Sequence, residues 1–166
     1  MDQKTPANAN IAKIAKEIKG INFAMMTTVA KDGSLHSRPM AVQQQDFDGD
    51  LWFFTSQDSV KTDELDANNQ VNIAFSAPDD NRYVSVSGKA RVVTDRAKID
   101  ELWNPALKAW FPKGKADPSV TLIHVDPDLA EYWDSANSKL VQLVGFLKAI
   151  ATGERIKGGE NETVKL

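Results

Sequence analysis

"QVNIAFSAPDDNRYVSVSGKARVV", residues 70–93, decides how this chain folds. Val71, Ile73 and Phe75 alternate with Asn72, Ala74 and Ser76; after "PDDN", Val84, Val86, Gly88, Ala90 and Val92 alternate with Tyr83, Ser85, Ser87, Lys89 and Arg91. A period of two sends successive side chains to opposite faces of a strand, so each run predicts a half-buried strand, and the turn between them makes the pair antiparallel. Gly88, inside the second run, marks a bulge or a bend of the kind a barrel wall needs.

Working outward, the same logic extends in both directions. "INFAMMTTVAKDGSLHSRPMAVQQQ" is rich in β-branched and aromatic residues and contains Asp32-Gly33, a hairpin signal, so strands are expected near 22–30 and 35–45. A second Asp-Gly turn in "DFDGD" leads into a third strand, "LWFFTS", at 51–56. From Asp58 to Asn68 the spacing turns helical, with Val60, Glu64 and Leu65 on one side and Asp58 or Ser59 as N-cap. Downstream, 95–103 reads as a helix and is followed by a Pro- and Gly-punctuated segment. "VTLIHVDPDLAEYW" then gives a long final strand region, interrupted at Asp126-Pro127. "SKLVQLVGFLKAIATG" reads as a C-terminal helix, and "IAKIAKEIKG" near the start places Ile11, Ile14, Ala15 and Ile18 on one helical face.

The expected organisation is a flexible N-terminus at 1–8, one domain at 9–152 and a loose polar C-terminal tail at 153–166. Six strands joined mostly by short hairpins, with helices after the third and fifth, predict a mainly β fold. Its form is a six-stranded antiparallel barrel, closed or nearly so, with peripheral helices; an open sandwich is the alternative.

Composition narrows the function. At 166 residues, 42% hydrophobic and 26% charged, the chain has ordinary globular usage for one domain. A net charge of -3 with scattered lysines and arginines offers no basic face for nucleic acid or membrane. The chain has no cysteine, which removes disulfides, thiolate nucleophiles and cysteine-held metals; His36 and His124 show no metal-ligand spacing. With no apolar leader and no run long enough for a membrane span, the expectation is a soluble cytoplasmic protein without a metal.

Against that background, "WFFTSQDSVK" at 52–61 stands out. If the strand ends at Thr55-Ser56 and a helix begins near Ser59, the hydroxyls, the free amides of the first helical turn and the Lys61 ammonium converge on one point. That geometry suits a phosphate monoester. It is not a P-loop, because no GxxxxGKS pattern is present. The neighbouring strand "HSRPMAVQ" carries Arg38, and Pro39 within it marks a position that needs no ladder donor. His36 shares the strand parity of Arg38, and His124 sits among apolar neighbours as a core or interface residue.

"RPMAVQ" at 38–43, "FFTSQDSVK" at 53–61, "SVSG" at 85–88 and "PDLAEYWD" at 127–134, in this order, resemble the flavin mononucleotide-binding split barrels related to pyridoxamine 5'-phosphate oxidase, and most closely their bacterial general stress protein subgroup. The resemblance spans about residues 10 to 150. It implies a homodimer of split barrels with flavin mononucleotide (FMN) at the subunit interface, and a small-molecule electron donor or acceptor. Arg38 matches the arginine that begins the flavin-contacting strand, and Pro39, Met40, Ala41 and Val42 would contribute mainly main-chain contacts. Gln43 stands where the oxidases carry a lysine. Phe54 and Thr55 match the strand pair near ring and phosphate. Lys61 matches the second member of an Arg-Lys phosphate pair whose first member is here Val60, so Ser56 or Ser59 would have to compensate. Tyr83 and Trp133 match contacts made from the partner subunit, and Trp110 and Phe111 lie in a segment positioned to cover the cofactor.

After "EYWD" the oxidases have an Arg-Leu-His-Asp-Arg signature that holds the vitamin substrate, where this chain has "SKLVQLV". The resemblance therefore implies an FMN-dependent oxidoreductase of unknown substrate rather than a true pyridoxamine phosphate oxidase. A non-enzymatic flavin-binding or stress-response module is the alternative, and a deazaflavin or haem in the same barrel is a third possibility.

Overall fold

The alternating runs become the centre of one antiparallel sheet in the computed structural model, which describes residues 5–43, 46–134, 139–153 and 160–166. In chain order the elements are α1 (Thr5–Ile18), β1 (Phe23–Val29), β2 (Leu35–Ala41), β3 (Leu51–Ser56), α2 (Val60–Ala67), β4 (Gln70–Ala77), β5 (Arg82–Val93), α3 (Arg96–Leu102), β6 (Val120–Asp134), α4 (Lys139–Thr152) and β7 (Glu160–Lys165). The strands run β2-β1-β4-β5-β6-β3, with β7 also on β6. All the pairings are antiparallel. β2 and β3, the two ends of this path, come close without forming a ladder among the described residues, which makes the barrel split.

Alternation is what fills the interior. Val71, Ile73 and Phe75 of β4 and Val84, Val86 and Ala90 of β5 are buried together with Ala24, Met26, Phe53, Ile123 and Tyr132. Each such large apolar side chain contributes about 1.5–3 kcal/mol on removal from water. Ile14 and Ile18 of α1 join this core, with Ile11 and Ala15 packed at its margin, as their helical spacing requires. A second cluster forms where α3 and the following segment lie on the β3–β6 end: Phe54, Ile99, Leu102, Leu107, Val120 and Leu122, flanked by Trp52, Trp103 and Phe111.

Two features differ from the sequence reading. β6 runs unbroken through Asp126-Pro127, because the register with β5 shifts between Ser87 and Gly88. Gly88 pairs with Pro127 at that shift, where the ladder can dispense with proline's missing donor. Only glycine fits there, since a Cβ on residue 88 would lie 2.2 Å from the Asp126 carbonyl oxygen and 2.8 Å from Pro127 Cα.

The second difference lies at the termini. Thr5–Asn8 already belong to α1 rather than to a flexible lead, and residues 1–4 lie outside the described residues. Glu160–Lys165 are a strand and not loose polar chain; residues 154–159 lie outside the description. β7 pairs with the second half of β6, Val164 opposite Ala130, and buries Val164. It is fastened to α1 as well, by Lys13 to Glu162 at 2.5 Å and Asn10 to the Lys165 carbonyl at 2.9 Å. The buried Tyr132 donates to the same Glu162 carboxylate at 2.8 Å. Polar residues thus form a strand here because β6 offers an edge, not because their own pattern demands it.

Candidate functional site

The gap between β2 and β3 holds the residues expected to bind an anion. β3 delivers Thr55, which is buried, and the chain turns through Gln57 and Asp58 into α2. Ser59 is the N-cap residue of α2 in extended conformation, but its side chain does not cap the helix. Instead its hydroxyl lies 3.3 Å from the Thr55 hydroxyl, while Thr62 Oγ1 donates back to the Ser59 and Gln57 carbonyls at 2.6 and 2.7 Å. Two hydroxyls and a helix start whose amides receive no side-chain cap therefore share one corner.

Lys61 follows in the first turn of α2, two residues after Ser59. Its ammonium is half-buried and has no acidic partner among the described ion pairs. Burial lowers its pKa below the usual lysine value, and the nearby positive charge of Arg38 lowers it further. A cation that is both desolvated and repelled is relieved by an anionic ligand.

Arg38 is brought to this corner, though its charge is already committed. β1 and β2 pair with Met26 opposite Arg38 and Thr28 opposite His36, which turns Arg38 and His36 to the same side as the buried Met26 and Thr28. The guanidinium donates to Thr28 Oγ1 at 2.5 Å and to Glu64 Oε2 at 3.0 Å. Glu64 comes from α2, is buried, and also accepts from Thr28 at 2.5 Å and meets His36 Nδ1 at 2.6 Å. Burial alone would raise its pKa; the hydrogen bonds from Thr28, His36 and Arg38 overcome that and hold the carboxyl below its ordinary range. Glu64 pairs with Arg38, so among the described residues Lys61 is the neighbouring cation without an acidic partner.

The remaining expected residues fall into two places. Along β2, Pro39 is exposed, Met40 is buried and Ala41 is half-buried; Val42 donates its amide to the Asn22 carbonyl at 2.9 Å, and Gln43 follows beyond the strand end. Among the described residues β2 pairs only with β1, so its other edge has backbone groups outside any ladder facing the gap. Ser56 is half-buried at the end of β3, and Phe54 packs into the second core against Trp103 and Phe111.

Tyr83 and Trp133 stand opposite each other on β5 and β6, on the outer face and partly exposed. Thr55 pairs with Thr121, twelve residues before Trp133 on β6, roughly 40 Å of strand at the usual rise. One chain does not bring them to the same point. Phe23 and Met25 of β1 are exposed on the outer face too, and Trp110 meets Phe23 edge-on at 6.2 Å.

His124 is buried, packed at a tilt against Trp52 with centroids 4.4 Å apart and bonded to Asp50 at 2.6 Å, apart from this site. Among the described residues no cluster of His, Cys, Asp or Glu is placed to hold a metal, and no helix is long and apolar enough to cross a membrane. Glu64 is the residue that sequence reasoning passed over. Its only signal was an acid at helical spacing beside the buried Leu65, facing a strand whose alternate residues are His36 and Arg38.

Comparisons with known proteins bear on this geometry. A family model described as "Pyridoxamine 5'-phosphate oxidase like" matches residues 9–157. The Protein bli-3 of Neurospora crassa is 34% identical over 164 residues, covering 93% of this chain and 78% of that protein. Among solved structures, the general stress FMN/FAD binding protein of Xanthomonas citri is 37% identical with a TM-score of 0.67, over 77% of this chain and 90% of the other. The General Stress Protein 26 of Bacillus anthracis is 29% identical with a TM-score of 0.65, over 74% of this chain and 92% of the other.

Proposed function

Because the chain belongs to the pyridoxamine 5'-phosphate oxidase-like family, we propose that it binds flavin mononucleotide in the split between β2 and β3 and works as a flavin-dependent oxidoreductase. The observation that carries this reading is Lys61, half-buried and without an acidic partner among the described residues, in the first turn of α2 two residues after Ser59, whose hydroxyl lies 3.3 Å from that of Thr55. That donor set fits a phosphate monoester: a point charge, two hydroxyls and uncapped helix amides. The open edge of β2 from Arg38 to Ala41 fits the polar rim of a flat ring, which asks for backbone donors and acceptors rather than for side chains. The Xanthomonas relative, a general stress FMN/FAD binding protein, agrees with this assignment. Bound flavin would supply the electron transfer; the chain supplies binding, orientation and charge.

A homodimer completes the proposal. Phe23, Met25, Tyr83, Leu129 and Trp133 form an exposed apolar set on the barrel, and a second copy would cover it while bringing Tyr83 and Trp133 to the flavin of its partner. Vitamin B6 oxidation is not proposed, since "SKLVQLV" replaces the substrate-holding signature. The same replacement favours a second reading, a flavin-holding module without turnover.

The test is the visible absorption spectrum of the purified protein after loading with FMN and gel filtration. Retained flavin bands support the proposal, and none at micromolar protein refutes it. Steady consumption of reduced nicotinamide with an added acceptor separates the enzyme from the holding module.

A further inference from the structure

His36 has a more constrained chemistry than its exposed position on β2 indicates. Glu64 is held in its ionised form, so it can only accept hydrogen bonds, and His36 Nδ1, 2.6 Å from Glu64 Oε1, must carry a proton. The second nitrogen is constrained from the other side. Nε2 faces the Ser34 hydroxyl at 3.4 Å, and that hydroxyl gives its single hydrogen to Asp32 Oδ1 at 2.6 Å. Ser34 can therefore only accept from Nε2. In neutral His36 the Nε2 lone pair meets another lone pair; with a second proton, Nε2 donates to Ser34 while Nδ1 donates to Glu64.

The charges facing the ring come from three elements. They are Glu64 of α2, Asp32 of the β1–β2 turn and Arg38, two residues along β2. Lys61 of α2 lies beyond Arg38. The His36 side chain is 50% exposed, so the Nε2 position exchanges with solvent or with a bound ligand.

We propose that His36 is the proton-carrying residue of this site and Glu64 its positioning residue, with Nε2 the atom that gives a proton to, or takes one from, a ligand lying along the open edge of β2. The inference rests on the flavin reading above. Reduction of a quinone-class acceptor takes two electrons and two protons, of which bound flavin would supply both electrons and one proton. His36 would supply the second proton from Nε2 to the acceptor oxygen that gains negative charge, keep its other proton on Nδ1, and regain the Nε2 proton from solvent.

The deciding experiment is long-range proton–nitrogen NMR of the histidine-labelled full chain, with and without FMN, in the parent and in Glu64→Gln. At alkaline pH, parental His36 is expected as the Nδ1–H tautomer. Glu64→Gln, whose carboxamide can donate to Nδ1, is expected to shift it towards Nε2–H, and FMN to move the parental Nε2 resonance. Parental His36 with its proton on Nε2 overturns the proposal even if the variant does not fold. FMN retained without any change at Nε2 overturns the ligand contact. Failure to retain FMN refutes the flavin reading and the ligand contact with it, while the parental tautomer still decides the Glu64–His36 pair. In a protein that turns over, His36→Gln is expected to slow quinone reduction on the order of 100-fold, and a change under about threefold overturns the proton role.

Discussion

Gly88→Ala tests whether the β5–β6 junction is as tight as its geometry indicates. A Cβ at residue 88 would stand 2.2 Å from the Asp126 carbonyl oxygen, 2.8 Å from Pro127 Cα and 3.0 Å from the Asp126 carbonyl carbon. All three are backbone atoms, so no side chain can rotate away, and Pro127 fixes its own φ. Reaching an ordinary separation would push the two longest strands apart by about 1 Å where their ladder already changes register, at the upper end of overpacking costs, about 3 kcal/mol. The alanine returns about 0.5–1 kcal/mol by restricting the unfolded chain, leaving a loss of about 2 kcal/mol. With a urea slope of about 2 kcal/mol/M, the unfolding midpoint should fall by about 1 M. The comparison is Gly33→Ala, which has nothing within 4 Å of the new Cβ and suffers only from a φ of +85°; its cost should be about 1 kcal/mol. Urea titration followed by tryptophan fluorescence and circular dichroism reads both. A Gly88→Ala midpoint no lower than that of Gly33→Ala would refute the close approach.

Lys61→Ala should weaken FMN about tenfold while leaving riboflavin nearly unchanged, since only FMN carries the phosphate; equal losses in titration calorimetry would remove the anion corner. Val164→Ala should cost about 2 kcal/mol, because Val164 is buried in the strand that closes on β6; an unshifted thermal midpoint would mean that β7 adds nothing to the fold. Glu17 is buried, its Oε2 has no partner among the described residues, and burial, with the charge of Asp134 adding, raises its pKa. Its folded form therefore holds the proton more tightly than the unfolded chain, so the associated stability is present at low pH and is lost as pH rises through the raised value. Glu17→Gln should accordingly unfold at higher urea than the parent at pH 8 and at nearly the same urea at pH 4; the reverse order would invert the sign of this argument.

Alternation and Asp-Gly turns carried most of the barrel from the sequence, because β1, β4 and β5 each turn one face to the core and the other outward, whereas β3 and the first half of β6 are buried almost throughout. Ser85 and Ser87 against Val84 and Val86 announce both the strand and its inner side. β7 was not legible for the same reason: "ENETVK" buries Val164 alone, so no pattern shows, and its strand depends on the distant β6 edge and on Lys13. Pro127 misled in the opposite sense, since a proline in a central strand reads as a break unless the partner glycine and register shift are known. At the site, Lys61 and the hydroxyls were readable as a local spacing. The Glu64 cluster was not, because it joins Thr28, His36 and Arg38 from another part of the chain, and only the fold brings them together.

The edges of β2 and β3 that form no ladder among the described residues also bear on how the chain behaves at high concentration. A strand with free amides and carbonyls along one side is a template for any other extended chain, and such templates start aggregation. This edge is guarded: Pro39 withholds a donor in the middle of β2, and Arg38 and His36 flank it with groups that a strand from another molecule would have to desolvate. A planar ligand needs only a few of those backbone contacts, whereas a strand needs the whole row. The edge thus disfavours a strand from another copy more than a small ligand, and if the proposed ligand fills the gap the protein should become more soluble as well as more stable.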